Sequence, residues 1–113
     1  MPFINTKVTT EITHEQELVL KEKYGKVLSL IGKSEAYLML NFEENCRLWF
    51  GGSNDEDCAF VDVSLLHSAP KASYEKLTVE ICKILSQELS IPSNRIYVKF
   101  EETENWGYDG FMF

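Results

Sequence analysis

The chain repeats itself. Displaced by 58 residues, Leu38-Met39-Leu40-Asn41-Phe42-Glu43-Glu44 falls on Ile96-Tyr97-Val98-Lys99-Phe100-Glu101-Glu102. The same displacement brings Val19, Val27 and Ile31 onto Leu77, Leu85 and Leu89. An apolar strand pattern recurring behind a helical one points to two copies of a β-α-β unit. Each crossover is expected to be right-handed, with its two strands parallel. The fold class is therefore α+β: two β-α-β repeats forming a four-stranded mixed sheet with two helices on one face. The repeat halves run over about 2–45 and 58–102 of a single domain, 1–113, a length at which one domain is the ordinary outcome.

Local signals fill in the elements. Residues 2–8 read as a strand. Thr13 and Gln16 form a capping box that starts a helix with Leu20, Tyr24, Val27, Leu28 and Ile31 on one face, and Gly32 ends it. A strand over 37–42, a turn at Glu43-Glu44-Asn45 and a short strand over 47–50 follow. The Gly-, Asn- and Asp-rich stretch 51–57 is a polar loop. Residues 58–66 make the next strand. Ser73 or Pro70 opens a second helix whose stripe is Tyr74, Leu77, Ile81, Ile84, Leu85 and Leu89, and Pro92 marks its end. Residues 96–100 form the last strand, and the aromatic, glycine-containing tail 103–113 is no continued helix. Two helices cover one face of such a sheet, yet 37–42 and 58–66 carry apolar residues on both. The spare face calls for association with other subunits, with segments around Trp49 and Trp106 pairing with neighbouring sheets.

A net charge of −7, with 11 basic residues scattered among 18 acidic ones, excludes a nucleic-acid footprint, which rests on clustered Lys and Arg. No apolar stretch is long enough to span a membrane. The first residues, MPFINTKVTTEI, lack the basic and apolar regions of a secretory signal, so a cytoplasmic location is expected. Cys46, Cys58 and Cys82 match no metal or redox spacing and read as free thiols.

Several segments, in order along the chain, carry a resemblance. They are Met1-Pro2 opening a strand, Gly32-Lys33 after the first helix, and Phe50-Gly51-Gly52-Ser53 before the third strand. Cys58-Ala59-Phe60, Asn94-Arg95-Ile96-Tyr97-Val98 and the ending Asn105-Trp106-Gly107-Tyr108-Asp109-Gly110 follow. Together they resemble the macrophage migration inhibitory factor family of the tautomerase superfamily, over the whole chain. The resemblance implies a homotrimer of β-α-β-β-α-β subunits with active sites between neighbours. It also implies enolisation of phenylpyruvate-like 2-keto acids without cofactor or metal.

It further implies roles for particular residues, each set beside a plainer one. Pro2, freed by removal of Met1, would be the catalytic base. A terminal amine starts with a pKa of roughly 7.7–8.0, and burial beside a cation lowers it toward what proton abstraction from carbon needs. The plainer account is a proline tolerated at the first strand position. Lys33 would clamp the substrate carboxylate and depress the Pro2 pKa, and it also complements a helix C-terminus. Leu66 would approach the substrate through its backbone. Tyr97 would reach into a neighbour's pocket, or is a half-buried strand tyrosine. Trp106, Tyr108 and Phe113 would form an aromatic wall, or a plain apolar cluster. Lys99 stands where animal members carry asparagine and either adds a second cation near the substrate or points to solvent. Tyr108 stands where the family often has tryptophan. Cys58 is followed by Ala59-Phe60-Val61, not by a second cysteine two residues on, so a dithiol oxidoreductase has no residues to run on.

Two functions follow. The first is a keto–enol tautomerase with Pro2 as general acid/base. The second is a cytokine-like interaction protein that mimics or modulates a host receptor, with vestigial tautomerase activity; the family leaves cells without a signal, by a non-classical route.

Overall fold

The first strand, β1 (Pro2–Val8), turns Pro2, Ile4, Thr6 and Val8 into the core and leaves Phe3, Asn5 and Lys7 half-exposed on its other side. The computed structural model describes residues 1–113. Helix α1 (His14–Val27) starts at the expected capping box. The Gln16 N–H donates to Thr13 Oγ1 at 3.1 Å, and Gln16 Oε1 accepts from the Thr13 N–H at 2.9 Å. Such a cap stabilises a helix by about 1 kcal/mol. The helix tightens into a 3-10 turn, Leu28–Ile31, and ends at Gly32, whose φ of 70° suits a residue without Cβ. The Lys33 N–H reaches back to Leu28 O and the Gly32 N–H to Ser29 O, a terminus that fixes where Lys33 leaves the helix.

Strand β2 (Met39–Glu43) starts later than the alternation predicts, because Glu35–Tyr37 is a 3-10 turn closed by the Leu38 N–H on Glu35 O. Tyr37 therefore lies outside the sheet. The strand expected over 47–50 is absent. Phe50 exchanges both backbone hydrogen bonds with Ser53 across Gly51 and Gly52, at φ 58° and 79°, so a tight local turn consumes the groups a strand would offer. Strand β3 (Ala59–Leu66) and helix α2 (Lys71–Leu89) follow, and Pro70, not Ser73, opens the helix. After a 3-10 turn at Ser93–Arg95, β4 (Ile96–Thr103) runs beyond the expected 100, because Glu101, Glu102 and Thr103 pair with Ser64, Leu65 and Leu66. The tail forms a two-residue hairpin, β5 (Gly107–Tyr108) and β6 (Phe111–Met112), around Asp109 and Gly110, both at positive φ.

The sheet order is β2-β1-β3-β4. The pairs β1/β2 and β3/β4 are parallel, and β1/β3 is antiparallel. This is the predicted pair of β-α-β units. The repeat is imperfect in the helices: Leu77 is fully buried, whereas its counterpart Val19 is 36% exposed, and Leu20 and Tyr24 take the core positions on α1. Both helices cover one face over a core that includes Ile4, Val61, Val63, Leu65, Leu77, Ile81 and Leu85. Burying each such side chain is worth about 1.5–3 kcal/mol. One polar pair sits in this core. The Thr6 and Tyr24 hydroxyls lie 2.9 Å apart, both fully buried, and burial pushes the Tyr24 phenol well above its usual range.

The uncovered face differs from the expectation of an apolar surface. Its middle row is polar from edge to edge: Asn41, Asn5, Asp62 and Lys99 stand side by side in register. Glu43 and Glu101 join them through hydrogen bonds and ion pairs. Apolar residues are confined to its ends, Phe3 and Met39 at one and Phe60 and Tyr97 at the other. The strands alternate more cleanly than their composition suggests, because Tyr37 has left the sheet and Leu66 is buried at the end of β3. What asks for cover is the rim and the two free sheet edges. Trp49, Met39 and Phe111 are 66%, 66% and 73% exposed.

Candidate functional site

Pro2 begins an inner strand, opposite Leu65, and is buried. The backbone of Leu66 ties this point to Lys33. The Leu66 N–H donates to Met1 O at 3.3 Å, and Leu66 O accepts from Lys33 Nζ at 2.9 Å. One residue at the end of β3 thus fixes both the peptide preceding Pro2 and the only cation beside it in this arrangement. Both backbone groups of Leu66 are engaged within the chain, and its side chain is buried. Burial, and then the Lys33 ammonium, hold the Met1 amine, one residue ahead of Pro2, below its ordinary value. The Lys33 ammonium has three N–H donors, and Leu66 occupies one.

A cavity of about 390 Å³ opens over this point. Met1, Pro2 and Phe3 form its floor, Ala36 to Met39 one wall, and Trp106, Gly107 and Tyr108 the other. The tail hairpin holds the second wall. The Phe113 N–H donates to Trp106 O at 2.9 Å, and the Phe113 ring stacks on Tyr108 at 6.2 Å. Tyr108 in turn meets the edge of Tyr37 at 5.5 Å. Such ring pairs contribute about 0.5–1.5 kcal/mol each beyond their burial. Tyr37 is the wall residue that reading the sequence as a strand missed. The polar Ser34-Glu35 pair ahead of it was the available sign of a turn.

The structure brings Pro2, Lys33, Leu66, Trp106, Tyr108 and Phe113 to one end of the sheet. It does not bring Tyr97 or Lys99 there. Tyr97 pairs with Phe60, five residues along β3 from the Leu65 that faces Pro2, a distance of about 17 Å. Lys99 lies on the uncovered face, 3.0 Å from Asp62 and 3.1 Å from Glu101. Hydrogen bonds to Asp62, then Glu101, raise its pKa. Its charge is spoken for within the chain. The three cysteines are unpaired and lie outside the cavity.

Two β-α-β units side by side, with the first residues of an inner strand at an aromatic cavity, define a protein of the tautomerase fold. The profile of the macrophage migration inhibitory factor (MIF) family matches residues 1–113, and the chain belongs to that family. It is 28% identical to the macrophage migration inhibitory factor homolog of Brugia malayi over 104 residues, covering 92% of this chain and 90% of that protein. Among crystal structures it is similar to Leishmania major MIF2, with a TM-score of 0.93, 28% identity, and 100% and 97% of the two chains covered. The MIF-like protein of Entamoeba histolytica superposes with a TM-score of 0.87 at 31% identity, covering 99% and 98%. No helix is long and apolar enough to cross a membrane.

Proposed function

We propose that the protein is a keto–enol tautomerase acting on phenylpyruvate-like 2-keto acids, with Pro2 as its general acid/base once Met1 is removed. The observation that carries this reading is the meeting, at one end of the sheet, of the buried Pro2, the Lys33 ammonium held on Leu66 O, and a cavity walled by Tyr37, Trp106 and Tyr108. The two remaining N–H donors of Lys33 bind the substrate carboxylate. Trp106 and Tyr108, backed by Phe113, hold an aryl ring and exclude water. Held at both ends, the substrate presents C3 to the proline nitrogen, which lowers the entropic part of the barrier. The nitrogen lone pair takes the C3 proton. The C–H electron pair becomes the C2–C3 double bond, and the carbonyl electrons move onto oxygen, which takes a proton from water to give the enol while the proline ammonium gives its proton up to solvent. In the reverse direction the protonated proline returns the proton to C3.

Tyr97 enters this scheme through assembly. It projects from the end of the sheet away from its own Pro2, beside free strand edges and exposed aromatic side chains. A homotrimer that covers these rims carries Tyr97 into the site of a neighbour. Lys99, paired with Asp62 and Glu101, is assigned no contact with substrate. The test is turnover of enol-phenylpyruvate by purified protein whose mass shows Met1 removed. An inactive enzyme with intact assembly would favour an interaction protein instead.

A further inference from the structure

Two sequence motifs that the proposed chemistry leaves unused, Phe50-Gly51-Gly52-Ser53 and Asn94-Arg95-Ile96-Tyr97, meet in space. Arg95 stands at the end of the 3-10 turn before β4, and its guanidinium turns onto the 51–57 loop. Nε donates to Asp57 O at 3.2 Å, and Nη2 donates to Ser53 O and Glu56 O, both at 3.0 Å. The same group lies over the Phe50 ring, 5.4 Å from its centroid. Phe50 in turn packs against Tyr97 at 5.0 Å, and Phe60 meets Tyr97 edge-on at 6.4 Å. A planar fork that binds three carbonyls and stacks on a ring is work that guanidinium geometry suits and few side chains can copy. It anchors a loop that has no strand partner of its own, and with it one of the two rings that brace the exposed Tyr97.

We propose that Arg95 is a positioning residue: through Phe50 it holds Tyr97 in the attitude in which a neighbouring subunit's site receives it. This rests on the tautomerase reading, because it gives Tyr97 a substrate to contact. Arg95 touches neither substrate nor Pro2. Its loss acts on the site of the next subunit and leaves its own untouched.

The experiment measures enolisation of phenylpyruvate by wild type, Arg95→Gln, Tyr97→Ala and the double variant, with assembly checked by sedimentation. Arg95→Gln should lose roughly tenfold in kcat/KM, mostly through KM, the size of effect a sub-ångström misplacement produces. The double variant should be no worse than Tyr97→Ala, because both changes remove one interaction. Mixed with Pro2→Gly chains, Arg95→Gln chains should exceed the mean of the two parent activities, since an intact Tyr97 then meets an intact Pro2. Multiplying losses in the double variant, or no recovery in the mixture, would overturn the proposal. If Arg95→Gln does not accumulate as folded protein, Phe50→Leu carries the same comparison, with the same outcomes counting for and against. An active wild type with a fully active Arg95→Gln sinks this inference alone. An inactive wild type sinks the tautomerase reading and this inference with it.

Discussion

Replacing Lys33 by alanine separates the two tasks given to its ammonium. In the structure Nζ holds Leu66 O at 2.9 Å and keeps two donors free. A hydrogen bond to a charged group is worth about 1.5–3 kcal/mol, which corresponds to a rise of about tenfold to 150-fold in KM for a 2-keto acid. The methyl ester or amide of the same acid has no carboxylate charge to lose, so its KM should move far less. The second task is electrostatic. A nearby cation disfavours an ammonium form: Lys33 contributes, after burial, to the lowered pKa of the Met1 amine, and the same cation should act on the Pro2 amine once Met1 is removed. Removing Lys33 lets the protonated form persist to higher pH, so the acid limb of kcat/KM against pH should shift upward. Leu66 O also loses its partner, at a cost to stability of about 1 kcal/mol, which thermal unfolding would register. The assay is steady-state enolisation of charged and uncharged substrates across pH, at low and high salt. Equal losses on both substrates, with an unmoved acid limb, would refute the reasoning.

Three other outcomes follow. Tyr24→Phe strips the Thr6 hydroxyl of its buried partner and should destabilise the fold by about 1–3 kcal/mol in denaturant titrations. Because the folded-state pKa of Tyr24 is raised above 10.0, its contribution is complete below pH 10 and declines as pH rises beyond it; Tyr24→Phe should flatten that alkaline decline, and an unchanged alkaline profile would count against the buried pair. Tyr108→Ala removes the ring between Tyr37 and Phe113, so KM should rise more for phenylpyruvate than for an aliphatic 2-keto acid, and equal changes would remove the aromatic wall from the account. Tyr97→Ala chains mixed with Pro2→Gly chains should recover partial activity, and a fully active monomer in sedimentation at assay concentration would overturn the shared site.

The parts legible in the sequence were those with a local physical cause. The capping box at Thr13, the glycine stop at Gly32 and the recurring apolar pattern led to both helices and all four sheet strands, because each is written in neighbouring residues. The limits that slipped depend on partners remote in sequence. Strand β2 begins at Met39, where pairing with Phe3 of β1 starts after the 3-10 turn over Glu35–Tyr37, and β4 runs to Thr103 because β3 continues to Leu66. Phe50 resisted prediction as a strand because its backbone bonds close on Ser53 three residues away. The apolar count also misled: it suggested a greasy second face, where register lines up Asn41, Asn5, Asp62 and Lys99. At the site, Pro2, Lys33 and the tail aromatics were named from motifs. The Leu66 carbonyl that orients Lys33 needed the fold, since a backbone acceptor leaves no mark of its own in the sequence, and for Tyr37 as a wall the polar Ser34-Glu35 pair was the one local sign.

The central claim is that the Pro2 amine is the base. It is tested most directly by intact mass and enol-phenylpyruvate turnover, measured on the same preparations of wild type and Pro2→Gly. Glycine keeps a terminal amine but replaces the constrained secondary amine with a flexible primary one. The account predicts that active wild type lacks Met1 and that Pro2→Gly, with assembly unchanged, loses well over tenfold in kcat/KM, more than about 1.4 kcal/mol of transition-state stabilisation. Full activity in Pro2→Gly, or in wild-type chains that retain Met1, would contradict it.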